Sequence, residues 1–195
     1  MSNIVVIGAG LAGMSAAYEL REILGKDHGI TVIGEGDRFS FTPSNPWVAV
    51  GWRQPGEITL EAEKHLSRKD IRFRPDGVAK IDAEAHRVQT GSGETLDYDY
   101  LLICTGPKLA FDEVPGSGPN GGHTQSICTT PHAQSAWAAY QEFLKAPGPV
   151  VVGAMAGASC FGPAYEFAMI LDADLRKRKL RDKVPMTFVT SEPYI

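Results

Sequence analysis

The feature that most constrains this chain is a repeated pattern: an apolar run, a small-residue turn and a helix-forming segment, present at the N-terminus and again near residue 150. In the first copy Ile4 to Ile7 lead into Gly8-x-Gly10-x-x-Gly13. Met14, Ala17, Tyr18 and Leu20 then recur at the spacing of one buried helix face. A second apolar run, Ile30 to Ile33, comes next and ends at Gly34 and Glu35. Strand, turn, helix and strand in this order predict a parallel sheet covered by helices.

The glycine spacing carries a chemical expectation. In such a turn the first glycine allows a tight bend, the second lets backbone approach a pyrophosphate, and the third lets helix pack closely on strand. The unpaired amides and partial positive charge at the helix start favour the diphosphate. Glu35 lies 22 positions after Gly13, where a carboxylate can accept hydrogen bonds from an adenosine ribose. A dinucleotide is therefore expected on Gly8, Gly10, Gly13 and Glu35; FAD and NAD use the same turn, so the motif leaves the choice open. The second copy, Pro149 to Met169, keeps Gly153 but places Met155 and Ala158 where the second and third glycines belong, and adds Cys160. A methionine side chain fills the space a pyrophosphate needs, so the second copy is expected to bind no dinucleotide.

These units define the fold class as α/β, a Rossmann-like FAD/NAD(P)-binding fold with two doubly wound units and parallel sheets. The second is shorter than a doubly wound half, with strands near Val150 to Val152 and Met186 to Thr190 but no third. The chain accordingly reads as the N-terminal part of something longer. Three segments are expected: residues 1–114, a dinucleotide-binding domain with a β-hairpin insertion; 115–148, a connecting loop and helix bearing Cys128; and 149–195, the start of a second domain. Phe39 to Gly51 reads as an ordered loop, Ile71 to Thr90 as short strands, Gly91 to Glu94 as a hairpin turn and Tyr100 to Gly106 as a buried parallel strand. Thr129, Thr130 and Pro131 mark a helix start, with Ala133, Trp137, Tyr140 and Leu144 on one face.

A net charge of -4 gives no footprint for nucleic acid, and Arg176 to Lys179 read as a solvated helix end complementing the dipole. No run of about 18 apolar residues predicts a membrane span, and the first residues encode the turn rather than a secretory signal. A cytoplasmic setting, free or peripheral on the cytoplasmic membrane, is the expectation. Nothing in the sequence suggests a metal site.

Of the three cysteines, Cys104 lies in an apolar strand and reads as a small buried residue. Cys160 is expected in the first turns of the second unit's helix, and Cys128 directly before the helix at Pro131. Both positions favour a thiolate, the form that does sulfur and flavin chemistry. For Cys128 the functional and structural readings balance, and His132, four residues on, reads either as a proton shuttle or as a solvated histidine at a helix start.

Taken together, VVIGAGLAGMSAAYEL, TPSNPWVAVGW at Thr42 to Trp52, YDYLLICTGPKLAF at Tyr98 to Phe111, QSICTTPHA at Gln125 to Ala133 and GAMAGASCFGPAYEFAMI at Gly153 to Ile170 resemble the sulfide:quinone oxidoreductases. These are FAD-dependent flavoproteins with two dinucleotide-binding domains, and the resemblance runs over essentially the whole chain. It implies FAD on the first turn, sulfide in place of a nicotinamide as electron donor, and a quinone as acceptor. Carried over, Cys160 matches the catalytic cysteine near the flavin, Cys128 a second cysteine that handles sulfur, and His132 and Glu166 polar residues that move protons. Cofactor contacts are implied at Gly8, Gly10, Ala12, Gly13, Gly34, Glu35, Thr42, Pro43, Asn45, Val78, Ala79, Thr105 and Gly106. A third cysteine, the disulfide partner of Cys160 in that family, has no counterpart here, and the quinone pocket and membrane-seating helices lie beyond the matched part. The resemblance also implies peripheral membrane association for a full-length protein and is compatible with a homo-oligomer.

Two other readings stand beside it. One is another flavoprotein of the same fold: a flavocytochrome sulfide dehydrogenase, an NADH:quinone oxidoreductase or a pyridine-nucleotide disulfide reductase, the last opposed by the lack of a Cys-x4-Cys pair between Phe39 and Gly51. The other is a nucleotide-binding fragment without catalysis.

Overall fold

The computed structural model describes residues 1–193. In chain order the elements are β1 (Asn3–Ile7), α1 (Leu11–Leu24), β2 (Gly29–Ile33), β3 (Arg38–Ser40), α2 (Asn45–Ala49), β4 (Thr59–Glu61), α3 (Ala62–Leu66), β5 (Arg72–Arg74), β6 (Val78–Asp82), β7 (Arg87–Thr90), β8 (Thr95–Asp97) and β9 (Tyr100–Ile103). After a long irregular stretch come α4 (Thr130–Phe143), β10 (Val150–Gly153), α5 (Gly162–Lys177) and β11 (Met186–Val189). The chain divides into two compact units, Met1–Phe41 with Thr59–Leu109, and Thr42–Ile58 with Ala110–Ile195. The division falls near the boundary read at 114/115, but it transfers residues 42–58 to the second unit and leaves 115–148 as part of that unit.

The first unit is an α/β layer on a parallel sheet in the order β5-β2-β1-β9. The chain leaves β1 towards β2 on one side and returns to β9 on the other. That reversal is the topological switch point at which such sheets bind ligands, outside the carboxyl ends of their strands. Ile4, Val6, Ile30, Val32 and Phe73 face a core shared with Ala17 of α1 and with Ala62 and Leu66 of α3. Val5, Ile7 and Ile33 face the other way, onto Val88 of the antiparallel sheet β6-β7-β8. A sheet covered on both faces needs near-continuous apolar strands, which is why NIVVI and GITVI do not alternate. The turn read at Gly91 to Glu94 joins β7 to β8, closed by the Thr90 amide on the Glu94 carbonyl at 2.8 Å.

One strand departs from expectation. β9 is at the edge of the sheet, so Tyr100 and Ile103 are largely exposed rather than buried. Cys104 lies just past it, partly buried against the core, its amide donating to the Ile7 carbonyl at 2.7 Å.

The second unit is built around α2, which the sequence presented as loop. Asn45, Pro46, Val48 and Ala49 are all buried. Val48 and Ala49 pack with Ile58, Ala133 and Ala136, and Val50 joins Tyr140, Ile170, Leu171 and Leu175 in a second cluster. The short helix was hidden because Pro, Ser and aromatic residues score as loop while tertiary burial decides the outcome. α4 begins as read: Thr129 caps it, its hydroxyl accepting from the His132 amide at 3.3 Å, with Pro131 in the first turn. β10 and β11 pair in parallel from Val150↔Met186 to Gly153↔Val189. Among the described residues no helix is long and apolar enough to cross a membrane.

Candidate functional site

In the first unit the expected cofactor residues gather at the carboxyl ends of β1, β2 and β9. Gly8 follows β1 and its amide donates to the Ile33 carbonyl at 2.7 Å, while Gly34 and Glu35 follow β2, and Thr105 and Gly106 follow β9. The register Ile33↔Ile7↔Ile103 sets these three turns side by side.

The three glycines of the turn serve different ends. A Cβ on Gly8 would stand 2.2 Å from the Cys104 carbonyl oxygen, and one on Gly13 would stand 1.8 Å from the Gly8 carbonyl oxygen. Both positions are closed by the protein's own backbone. Gly10 has nothing within 4 Å of where its side chain would begin. Only there is the missing side chain left as open space, as expected where a diphosphate approaches the start of α1. No side chain caps this helix and no acid stands in its first turn, so its amides are left for an anion. Ala12 is exposed on the same first turn. Glu35 is exposed beside β5 through a bridge to Asp76. Gly34 is tightly packed, a Cβ there meeting Ala9 at 2.7 Å. Val78 and Ala79 open β6, half-buried and exposed respectively. These residues fit a bound dinucleotide.

Asp76 shares this edge, its carboxyl held well below the usual range by the Ser92 hydroxyl, then by Thr90 and the Ser92 amide. It therefore stays an anion that fixes the β7–β8 turn.

The second turn differs more than its sequence implied. Gly153 is fixed as Gly8 is, since a Cβ would stand 2.1 Å from the Val189 carbonyl oxygen. But α1 begins three residues after Gly8, whereas α5 begins only at Gly162, nine after Gly153. Met155 and Ala158 thus lie in a loop, joined by the Ala158 amide on the Met155 carbonyl at 3.1 Å, and do not occupy the positions of Gly10 and Gly13. Cys160 is in that loop too, two residues before α5 rather than in its first turns as expected, and exposed.

Cys128 stands just before the Thr129 cap, exposed, its amide donating to the Ser126 hydroxyl at 3.2 Å. Ile127 beside it and Phe167 of α5 pack on one cluster with Val48, Ala49 and Ala133. The helix starts that come after the two cysteines therefore border one small core. His132 is half-buried: its Nδ1 is buried without a partner among the described residues, and its ring lies 5.7 Å from that of Phe111. Glu166 is exposed on α5, one turn from its start.

Thr42, Pro43 and Asn45 belong to this second unit, the first two exposed and Asn45 fully buried. The Asn45 Oδ1 accepts from the Thr130 hydroxyl at 3.1 Å, while its Nδ2 has no partner among the described residues. A buried amide donor left unpaired costs about 1–3 kcal/mol, so it is a donor in want of an acceptor.

Sequence reading missed the polar centre of this unit. Asp174, only 1% exposed, accepts from Trp52 Nε1 at 2.7 Å, Tyr140 Oη at 2.8 Å and Arg178 Nε at 2.5 Å. The available signal was an acid in the buried stripe Ile170, Leu171, Asp174, Leu175.

Residues 2–161 match the family model described as pyridine nucleotide-disulphide oxidoreductase, and the chain belongs to that family. Its members are flavin-dependent oxidoreductases with this Rossmann-like fold. Among curated proteins the chain is similar to the sulfide-quinone reductase of Aquifex aeolicus, 46% identical over 99% of this chain and 44% of the relative. A mitochondrial sulfide:quinone oxidoreductase of Dictyostelium discoideum is 29% identical over 96% of this chain and 42% of its own length. The crystal structure of the Aquifex aeolicus sulfide:quinone oxidoreductase superposes with a TM-score of 0.91 over 100% of this chain and 44% of that one. A NAD-dependent persulfide reductase from A. fulgidus, 22% identical, shares the fold with a TM-score of 0.67 over 95% of this chain and 39% of its own. The chain spans less than half the length of these relatives.

Proposed function

We propose that this chain is the FAD-binding and cysteine-bearing part of a sulfide:quinone oxidoreductase. The observation that carries the reading is the contrast between the two turns. The first is short, open at Gly10 and led by uncapped amides; the second is drawn out into a loop that presents Cys160 where a dinucleotide turn would be tight. One unit is built to hold a cofactor, the other to expose a thiol. Similarity to the Aquifex sulfide-quinone reductase supports the substrate assignment.

In this reading Gly8, Gly10, Ala12 and Gly13 hold the FAD diphosphate and Glu35 accepts from the adenosine ribose. Gly34, Val78, Ala79, Thr105 and Gly106 line the cofactor; the family resemblance implies cofactor contacts at Thr42, Pro43 and Asn45 as well, and Asn45 Nδ2 is a buried donor without an acceptor among the described residues. When bound, FAD would supply a two-electron acceptor, and a quinone would be the final acceptor. Sulfide attacks a disulfide involving Cys160, whose S–S bond breaks as the S–S bond of a persulfide forms; the electron pair of the released sulfur would go to bound FAD, Cys128 handles sulfur, and His132 and Glu166 take up the protons released. FAD is expected to bind more tightly than NAD. The complete protein associates peripherally with the cytoplasmic membrane, and its oligomeric state, monomer or homo-oligomer, is open to direct measurement.

The test is anaerobic reduction of the protein carrying this chain. Sulfide should bleach the flavin and NADH should not, while Cys160→Ala should abolish bleaching with FAD still bound. Bleaching by NADH at a rate comparable with sulfide, or full turnover in Cys160→Ala, would overturn the assignment. In this chain alone, brief iodoacetamide treatment should label Cys128 and Cys160 before the partly buried Cys104.

A further inference from the structure

The second unit retains another component of a nucleotide site. β11 pairs with β10 as β2 pairs with β1, and an acid lies beyond each: Glu35 two residues after Ile33, Glu192 three residues after Val189. An acid at that strand end is the group that accepts from an adenosine ribose. The two carboxylates are used differently. Glu35 is exposed, and among the described residues no side chain donates to it. Glu192 is half-buried, and its Oε2 accepts from Tyr165 Oη at 2.6 Å and from Thr190 Oγ1 at 3.0 Å. The Glu192 amide in turn donates to Thr190 Oγ1 at 3.2 Å.

Tyr165 stands in the first turn of α5, and its ring lies 4.5 Å from that of Phe188 on β11. Its hydroxyl thus spans from the helix start to the acid beyond the strand, the interval that the adenosine half of a dinucleotide would bridge. The hydrogen bond to Glu192 also pushes the phenol above its ordinary range, which keeps the hydroxyl a donor. Pro163, in the same turn, removes one of the amides that would face a diphosphate.

We propose that Tyr165 and Glu192 form a specificity lock, in which the tyrosine hydroxyl takes the place of a ribose hydroxyl and closes the second unit to nicotinamide dinucleotides. The lock rests on the reading of this unit as one that receives no electrons from NAD(P)H, and it locates that refusal in a side-chain pair rather than in Met155. Tyr165 is a specificity residue and touches no reacting atom.

The test is direct binding of ADP-ribose to this chain, which separates the lock from sulfide chemistry altogether. Gly10→Val serves as the background, since nothing lies within 4 Å of that position and the added side chain fills the first turn. The background should show no saturable binding at millimolar ADP-ribose by calorimetry. Adding Tyr165→Phe, which keeps the ring on Phe188, should tighten binding at least tenfold, Tyr165→Ala at least as much, and Glu192→Gln should reverse the gain. Three results overturn the lock: background binding that Glu192→Gln weakens, no gain in either tyrosine variant, or a gain that survives Glu192→Gln. Sulfide failing to bleach the flavin would sink the proposed function and leave these outcomes intact.

Discussion

The two strand–turn–helix starts share their first glycine for the same reason and diverge immediately after it. Gly8 and Gly153 are each pressed against a neighbouring backbone carbonyl, of Cys104 and of Val189. Past that point one chain enters its helix at once and leaves Gly10 bare, while the other wanders through eight residues and exposes a cysteine. The shared glycine belongs to sheet packing; the divergence beyond it is what the proposed function rests on. A motif read as one unit thus separates into positions closed by backbone and a position left open.

The sharpest way to break this comparison is to place a side chain at each. Gly8→Ala and Gly13→Ala drive a methyl into backbone that cannot yield, and Gly8 also has a φ of 108°. Overpacking of this kind costs about 1–3 kcal/mol, and a side chain at that φ adds about 1–3 kcal/mol. Both variants should lose several degrees or more of thermal stability. Gly10→Ala meets nothing and should cost about 0.5–1 kcal/mol through a poorer helix cap while weakening FAD binding. Equal destabilisation by all three, measured by thermal unfolding, would show that the turn has no ligand position.

The polar centres of the two units also differ. Arg21 in the first donates to the carbonyls of Gly25, His28 and Asp70, tying the end of α1 to two loops. In the second, Asp174 gathers three donors inside the core. Asp174→Ala strands Trp52 and Tyr140 donors and the Arg178 charge, and should cost about 3–5 kcal/mol. Arg21→Met leaves carbonyls at the edge of the unit and should cost about 1–2 kcal/mol. Chemical denaturation of both variants checks the order, and the reverse order would mean that the Asp174 centre is wet.

Much of this was legible in the sequence because it is local. The first turn, the Ile4 to Ile7 and Ile30 to Ile33 strands, the Gly91 turn and the Thr129 cap depend on neighbours a few residues apart. The hidden features depend on partners far along the chain. α2 exists because it is buried against α4 and α5, β9 is exposed because among the described residues no strand pairs beyond it, and Asp174 is held by Trp52 from 122 positions away. The placement of Cys160 failed for a related reason: residue spacing was carried over from the first copy, and nothing in the sequence marks where α5 begins other than Pro163. Asn45 was picked out by resemblance, yet its bond to Thr130 needed the structure.

Within the Asp174 centre, burial first and the hydrogen bond to Asp174 second push the Tyr140 phenol above its ordinary 10.0. Below about pH 10 the phenol is protonated folded or unfolded, so it adds no pH dependence. Above that, the unfolded phenol ionises while the folded one does not, and stability falls as pH rises. Tyr140→Phe should lose about 1.5–3 kcal/mol at neutral pH, the worth of a hydrogen bond to a charged acceptor, and should show a flatter alkaline limb than the parent. An unchanged limb in urea unfolding between pH 9 and 11 would place Tyr140 in water.

The smallest effect tests the helix starts themselves. α1 begins at a glycine with no side-chain cap, as suits a helix whose amides await an anion, whereas α4 begins at Thr129, whose hydroxyl already takes the His132 amide. Thr129→Ala should therefore destabilise the second unit by about 1 kcal/mol, and Thr129→Ser should restore most of it. Putting a cap where none exists, with Gly10→Ser, should do the opposite: add a few tenths of a kcal/mol to the chain alone while weakening FAD, because the new hydroxyl competes for the amides the diphosphate uses. Thermal unfolding with and without FAD separates the two terms. If Gly10→Ser strengthened FAD binding, the bare start of α1 would be incidental to the cofactor, and the contrast between the two turns would lose its functional half.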